Sequence, residues 1–304
     1  MARMKTVGAD GVADAADATD TAGGGLAGRT GQGADRADRA DHRADQPGED
    51  SGAAGVKSAR RAVELLEAFG ANHAWLSLTD LHHHTGIPRS SLHGLLRTLR
   101  DVGWIESDDA GTRFRLGVRA LICGTAYLDR DPVMPYATDA LERLRDQVGY
   151  TCHYARLNGP DIVYLQTRES RTSAHLVSRI GRTLPAHATA LGKVLLAELA
   201  DDELTAVLPK HLAALTGLTI TDREALRSEL AFIRERGYST ERGQSSADVA
   251  CVAAVVPFRI PGTDAMSCSM PADRVTDAEL QKVGSLLREV SEDLSQQLRR
   301  AGIR

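Results

Sequence analysis

Cysteine, lysine, aromatic side chains and long apolar runs are all scarce in this chain. Its 304 residues hold four Cys, at 123, 152, 251 and 268, with no C-x-x-C pair among them. That spacing excludes a disulfide framework and a structural zinc site. No stretch approaches the roughly 18 consecutive apolar residues of a membrane span, and no signal-peptide apolar segment follows Met1. A reduced, cytoplasmic protein without membrane contact is therefore expected. Aromatics make up 4% of the residues, which argues against the base-stacking platforms of RNA-binding modules. Lysine occurs only at positions 5, 57, 193, 210 and 282, so nearly all positive charge is Arg, and a single Arg says less about anion recognition than usual. The formal charge of -4 leaves no basic excess, which excludes a histone-like coat on DNA.

The acidic excess is local. Residues 1–54 contain ten acids and six bases, and the remaining chain has 31 of each. Large apolar side chains are nearly absent from 1–54, where Val7, Val12 and Leu26 stand among Ala, Gly, Asp and Arg. Such a segment buries too little surface to offset its ordering entropy, so a disordered N-terminal extension is expected. The tract ADRADRADHRAD (34–45) places Asp35 and Arg39 at i,i+4, worth only a few tenths of a kcal/mol as a nascent helix.

Apolar periodicity begins near Val56. Ala59, Ala62, Val63, Leu66 and Phe69 follow helical spacing, and Gly70 and Asn72 close the helix. Ser77-Leu-Thr-Asp80 has capping-box spacing and opens a short helix through His84. Thr85-Gly-Ile-Pro88 makes a turn. A third helix is predicted from Pro88 to Val102, with Leu92, Leu95, Leu96, Leu99 and Val102 on its buried face. Trp104-Ile105 and Arg113-Phe-Arg-Leu116 read as short strands around the turn-rich Asp108-Asp-Ala-Gly111. This order is that of a winged helix-turn-helix, a mainly α unit spanning 55–117.

A linker helix over 118–131 follows, interrupted at Asp131-Pro132. The rest, 132–304, alternates helices and strands. A helix carries Ala137, Ala140, Leu141, Leu144 and Val148. Strands 151–157 and 162–167 flank the turn Asn158-Gly-Pro-Asp161. A helix spans about 188–199, and another opens at a capping box, Thr221-Asp-Arg-Glu224. Strands are expected at 238–241, 249–256 and 265–270. A final helix opens at Thr276-Asp-Ala-Glu279 and carries Leu280, Val283, Leu287, Val290, Leu294 and Leu298. Antiparallel strands flanked by helices make an α+β domain.

Three stretches together resemble the IclR family of bacterial transcriptional regulators, over about 56–298. Gly86-Ile-Pro-Arg-Ser-Ser-Leu-His93 with Leu95-Leu96 resembles the family's recognition helix. Gly111-Thr-Arg-Phe-Arg-Leu-Gly117 resembles its wing, and Leu184-Pro-Ala-His-Ala-Thr-Ala-Leu-Gly-Lys-Val-Leu-Leu-Ala197 the signature of its effector domain. Arg236-Gly-Tyr238, Cys251 with Ala253, and Ser267-x-Ser269 before Pro271 follow in order. The resemblance implies a GAF-like α+β effector domain and a homodimer or dimer of dimers on a palindromic operator in double-stranded DNA. Two departures stand out: Gly94 replaces the family's usual Arg, and Arg242-Gly-Gln-Ser-Ser-Ala-Asp248 replaces its acidic, Gly-containing approach to the Cys.

On the third helix, Arg89, Ser90, Ser91, His93, Arg97 and Arg100 lie opposite the leucines, and no acid appears before Asp101. With Arg113 and Arg115 of the wing they form the candidate DNA-contact set, hydroxyls and guanidinium groups suiting phosphates and guanine edges. In an arbitrary helix the same pattern would more often be a solvated face. By resemblance, the effector set is Leu176, Ala190, Leu191, Glu241, Val249, Cys251, Ser267 and Ser269. It is mostly apolar with two hydroxyls, which suits a small organic acid. Judged without the resemblance, these would be ordinary strand and core residues.

Other patterns fail chemically. His82-His83-His84 point in different directions on a helix and cannot share one metal ion. His187 to Lys193 lacks the first Gly and the final Ser/Thr of a phosphate loop, although a small-residue helix start can hold a carboxylate. Cys251, Cys268 and His187 show no activating charge and read as packing residues. No cofactor, metal or catalytic residue is expected. The competing reading is a small-molecule sensor or enzyme domain with a degenerate helix-turn-helix.

Overall fold

Leu65 and Phe69 are the buried residues of helix α1 (Lys57–Ala71) and Leu66 packs beside them, so the inward face holds the expected Leu66 and Phe69 and adds Leu65. Val63, expected inside, is 54% exposed. The computed structural model describes residues 56–72, 74–171 and 180–304. The expectation of disorder for 1–54, and the predicted effector residue Leu176, lie outside these. Strand β1 (Leu76–Ser77) precedes helix α2 (Leu78–Thr85), where Ser77 Oγ accepts from the Asp80 amide at 3.2 Å and the Asp80 carboxylate accepts from the Ser77 amide at 2.9 Å. Gly86 ends α2 with φ +65°, a conformation glycine adopts without steric cost, and Pro88 then starts helix α3 (Arg89–Asp101). Strands β2 (Ile105–Ser107) and β3 (Arg113–Leu116) form the wing, and the sequence did not disclose that β1 pairs with β3. Leu65, Phe69, Leu81, Leu92, Leu96, Ile105 and Phe114 close one core. Val102, predicted inside, follows α3 and is 44% exposed.

Helix α4 (Val118–Arg130) has no buried residue, whereas α5 (Met134–Val148) buries Ala137, Ala140, Leu141 and Leu144. Strands β4 (Thr151–Asn158), β5 (Asp161–Arg168) and β6 (Thr183–Pro185) come next. A 3₁₀ turn (Ala186–Ala188) then leads into α6 (Ala190–Leu196), shorter than expected because Thr189, in extended backbone, separates the two. Helix α7 (Asp201–Val207) was not anticipated. Helix α8 (Arg223–Arg236) is capped by Asp222, whose carboxylate accepts from the Ala225 amide, and not by Thr221. Strands β7 (Ser239–Arg242), β8 (Val249–Val255) and β9 (Asp264–Pro271) precede the long helix α9 (Asp277–Arg300), capped by Thr276.

The larger sheet is antiparallel throughout, in the order β6-β5-β4-β9-β8-β7. Alternation decides its two faces. Cys152, Tyr154, Val252, Met266, Cys268 and Met270 pack under α5 and α9, while Ala155, Ile162, Tyr164, Ala253 and Ala265 pack under α6, α7 and α8. The effector residues predicted from the sequence fall on this second side.

Candidate functional site

Helix α3 turns Leu92, Leu96 and Leu99 inward, leaving Arg89, Ser90, His93, Arg97 and Arg100 on its solvent side. Ser91 is half-buried, and its hydroxyl accepts from Arg61 Nη1 of α1 at 3.2 Å. Arg89 Nη2 lies 3.4 Å from Thr79 Oγ1, and Arg100 pairs with its neighbour Asp101 at 3.3 Å. Both contacts are exposed, and a phosphate can displace them at little cost. In the wing, Asp108 accepts from the Thr112 and Arg113 amides at 2.7 and 3.0 Å; these bonds hold its carboxyl below the usual range and shape the hairpin tip. Arg113 stands exposed on β3. Arg115 is more constrained: it donates to Glu106 Oε2 at 2.8 and 3.0 Å, and its guanidinium lies 4.5 Å above the Trp75 ring.

On the larger sheet, cross-strand register brings distant residues together. His153 of β4 faces Thr167 of β5 and Ser267 of β9, while Ser269 of β9 faces Thr151 of β4 and Cys251 of β8, which faces Glu241 of β7. These residues occupy one face. His153 Nδ1 lies 3.1 Å from Thr167 Oγ1, His153 Nε2 lies 3.1 Å from Ser269 Oγ, and Ser269 Oγ lies 3.2 Å from Cys251 Sγ. Tyr164 meets the imidazole edge-on at 5.3 Å. Ala190 and Leu191 begin α6 above this side of the sheet, tied down by the Ser239 hydroxyl donating to Ala190 O at 2.5 Å. Of the eight residues predicted for the effector, the structure thus brings seven to one side of the sheet.

Glu241 and Cys251 are the least available of the seven to a ligand's charge. The Glu241 carboxylate accepts from the Gln244 amide and the Ser245 hydroxyl, both at 2.8 Å, and organises the β7–β8 loop. Burial pushes the Cys251 thiol well above its ordinary value, so it is a neutral, weakly polar wall. Lys193 is fully buried, with Nζ donating to Thr240 O, Gln244 Oε1 and Glu229 Oε1 at 2.8, 3.1 and 3.2 Å. Its burial lowers its pKa, and its three donors are committed to holding α6 on β7 and α8. His187, the other member of the apparent phosphate loop, lies 2.9 Å from Ala213 O through Nε2.

His153 and Thr167 were missed by reading the sequence for family positions. The signal was available: in the alternation Thr151, His153, Ala155, a histidine stands at a position that faces inward. His153 is 3% exposed, and burial pushes its pKa down to about 4. The unfolded chain, titrating near 6.5, therefore binds the extra proton between those values. Stability from this group is complete above pH 6.5 and is lost as the pH falls towards 4, about 3 kcal/mol in all. Urea unfolding at successive pH values should show His153→Gln with a flatter acid limb than the unsubstituted protein; parallel limbs would refute a neutral buried His153.

A winged helix-turn-helix with a cationic α3, joined to a sheet that encloses hydroxyl and imidazole groups, defines a DNA-binding regulator with a ligand-binding domain. The chain belongs to the IclR family of bacterial transcriptional regulators. The family model for the IclR helix-turn-helix domain matches residues 58–109, and that for the IclR C-terminal domain matches 125–296. The HTH-type transcriptional regulator XynR of Escherichia coli is 35% identical over 247 residues, covering 80% of this chain and 97% of the relative. The crystal structure of a putative transcriptional regulator, RHA06195, from Rhodococcus sp. RHA1 is 30% identical, with a TM-score of 0.66 over 81% of this chain and 100% of that one. An IclR homolog from Microbacterium hydrocarbonoxydans, crystallised with 4-hydroxybenzoate, shares the fold at 24% identity, with a TM-score of 0.67 over 80% of this chain and 100% of its own. Members of the family are transcriptional regulators and not enzymes. This protein accordingly binds DNA through its helix-turn-helix and responds to a small-molecule effector through its C-terminal domain.

Proposed function

We propose that the protein is a cytoplasmic, acid-responsive regulator that reads a palindromic operator as a homodimer or dimer of dimers. Residues 55–117 form its reader, 118–131 its linker helix and 132–304 its sensor. In this reading Arg89, Ser90, His93, Arg97, Arg100 and Arg113 contact DNA, and Ser91 and Arg115 support them from their existing bonds. Self-association is supported by α4, where Val118, Leu121 and Ile122 are each more than 60% exposed. Two apolar helix faces brought together would remove this surface from water and space the two readers along the duplex.

The effector is a small organic acid, its carboxylate set against Ser267, Ser269 and His153, with Ala190, Leu191, Val249 and Cys251 as apolar walls. The observation that carries this is the row Thr167–His153–Ser269–Cys251: polar groups that accept or donate, enclosed by a sheet and a helix. A carboxylate there gains short charge-assisted hydrogen bonds in a place water reaches poorly. Thermal denaturation against a panel of acids (acetate, lactate, 4-hydroxybenzoate) and their amides tests it. At least one acid should raise Tm more than its amide does, and Ser267→Ala with Ser269→Ala should remove most of the difference. An equal rise in the double variant would reject this site.

A further inference from the structure

Arg156 of β4 lies between two groups of partners. On the sheet side its Nε and Nη2 donate to the two oxygens of Asp264 at 2.7 and 2.6 Å, and Asp264 also accepts from the Tyr154 hydroxyl at 2.8 Å. On the linker side its Nη1 lies 2.8 Å from the Asp131 carboxylate and 2.8 Å from the Tyr127 hydroxyl. Tyr127 belongs to the last turn of α4, and Asp131 is its C-cap. Among the described residues, these are the only side-chain hydrogen bonds and ion pairs joining 118–131 to the larger sheet. Beside them α4 is loosely packed: a groove of about 780 Å³ separates it from Val163, Tyr164 and Leu165 of β5.

The cluster is expensive to assemble, since Asp264 is fully buried and Asp131 nearly so. Buried ion pairs of this kind add little net stability; where they have a role, it is to fix one geometry among alternatives. The geometry fixed here is that of α4 against the β4–β9 pair. Arg156 and Asp264 are directly opposite in that pair, and three residues along the same strands His153 is opposite Ser267. About 10 Å of two paired strands therefore separates the grip on the linker from the row that faces the effector, the two lying on opposite faces of the sheet.

We propose that Arg156 is a positioning residue that couples the sensor to the reader: a change in how β4 lies against β9 is passed through its two-sided grip to Tyr127 and Asp131, and so to α4. The inference rests on the family's ligand-modulated DNA binding and is independent of which acid is sensed. Coupling of this kind is reciprocal, so DNA bound at the reader must alter the strands through the same residues.

Hydrogen exchange of the full chain, with and without a duplex selected from a random library, tests this without any effector. DNA should slow exchange in α3. It should also change exchange in 151–158 and 264–271 by about fivefold or more, the low end of ordinary allosteric coupling. The double variant Tyr127→Phe with Asp131→Asn severs the linker side alone. It leaves Arg156 paired with Asp264 and keeps an oxygen at 131 for the Val133 amide it accepts from. Protection of α3 should survive in it while the response of the strands disappears. Should that variant fail to fold, Tyr127→Phe, which removes one exposed hydroxyl, is expected to reduce the same response. Strands that ignore DNA in the unsubstituted protein, or that respond equally in the variants, overturn the proposal. Failure to select any duplex would instead contradict DNA binding itself, and it would be seen before any exchange is measured.

Discussion

Replacing Arg89 and Arg97 together by alanine is expected to lower operator affinity at least about a hundredfold while leaving the fold intact. Both side chains are on the exposed side of α3, and neither supports the core formed by Leu92, Leu96 and Leu99. The described residues offer Arg97 no ion pair, and Arg89 has only its long contact to Thr79, so alanine leaves no buried group without a partner. Each guanidinium lost from a DNA interface costs about 1–3 kcal/mol, and the proposed dimer would lose it twice. The salt dependence of binding should flatten by about one unit of slope for every phosphate contact removed. Anisotropy titrations at several salt concentrations, with circular dichroism of the same variant, separate lost contacts from lost structure. An unchanged affinity would mean that α3 is not the element that reads DNA.

Gly192→Ala should destabilise the sensor, against the usual sign for such a change. In a helix, alanine in place of glycine ordinarily gains about 1 kcal/mol. At 192, however, the new Cβ would lie 2.1 Å from Ala186 O and 2.2 Å from Ala186 Cα. Those are backbone atoms, and they are held: the Ala186 amide donates to Pro160 O at 2.9 Å, and Ala186 O accepts from the Thr189 amide at 3.2 Å. Either α6 or the 3₁₀ turn must shift, and α6 packs on β8 and β9, the strands that carry Cys251, Ser267 and Ser269. Overpacking of this kind costs about 1–3 kcal/mol and occasionally more; with backbone on both sides of the clash, the upper end is expected. Gly94 of α3 supplies the contrast, since a Cβ there meets nothing within 4 Å. Gly94→Ala should therefore stabilise the reader by about 1 kcal/mol. Urea denaturation distinguishes the two signs, and a stabilised Gly192→Ala would refute the close packing of α6 on the turn.

Local signals were legible in the sequence because local chemistry decides them. Ser77 with Asp80, Gly86 before Pro88, and the leucine stripe of α3 each act over one or two turns of chain, and each formed where it was expected. Strand β1 was not legible. Two residues carry no period, and only the approach of β3, with Leu76 opposite Phe114 and Ser77 opposite Arg113, makes them a strand. The inward face of α1 was only partly legible for a related reason: Phe69, Leu66 and Ala62 turn towards the core as expected, and Ala59 and Val63 do not. Ala59 and Val63 satisfied helical spacing, but α2 and β3 pack against α1 from the side of Leu65 and Phe69. On the larger sheet, the family signature pointed to Ser267, Ser269 and Cys251, and the cross-strand register sets them on one face. His153 and Thr167 lie outside that signature and join the row only through pairing with β9 and β5. Their role depends on register, which a single strand does not reveal.

The central claim is that one chain reads DNA and that the proposed acid alters that reading. The most direct test is a binding titration of the full protein to a library-selected duplex under excess competitor DNA, with and without the acid that raises its Tm. Binding should be at least about a thousandfold tighter than to random duplex. That affinity should shift by about fivefold or more when the acid is saturating. Equal affinity for selected and random duplex, or a stabilising acid that leaves operator affinity unchanged, would contradict the claim.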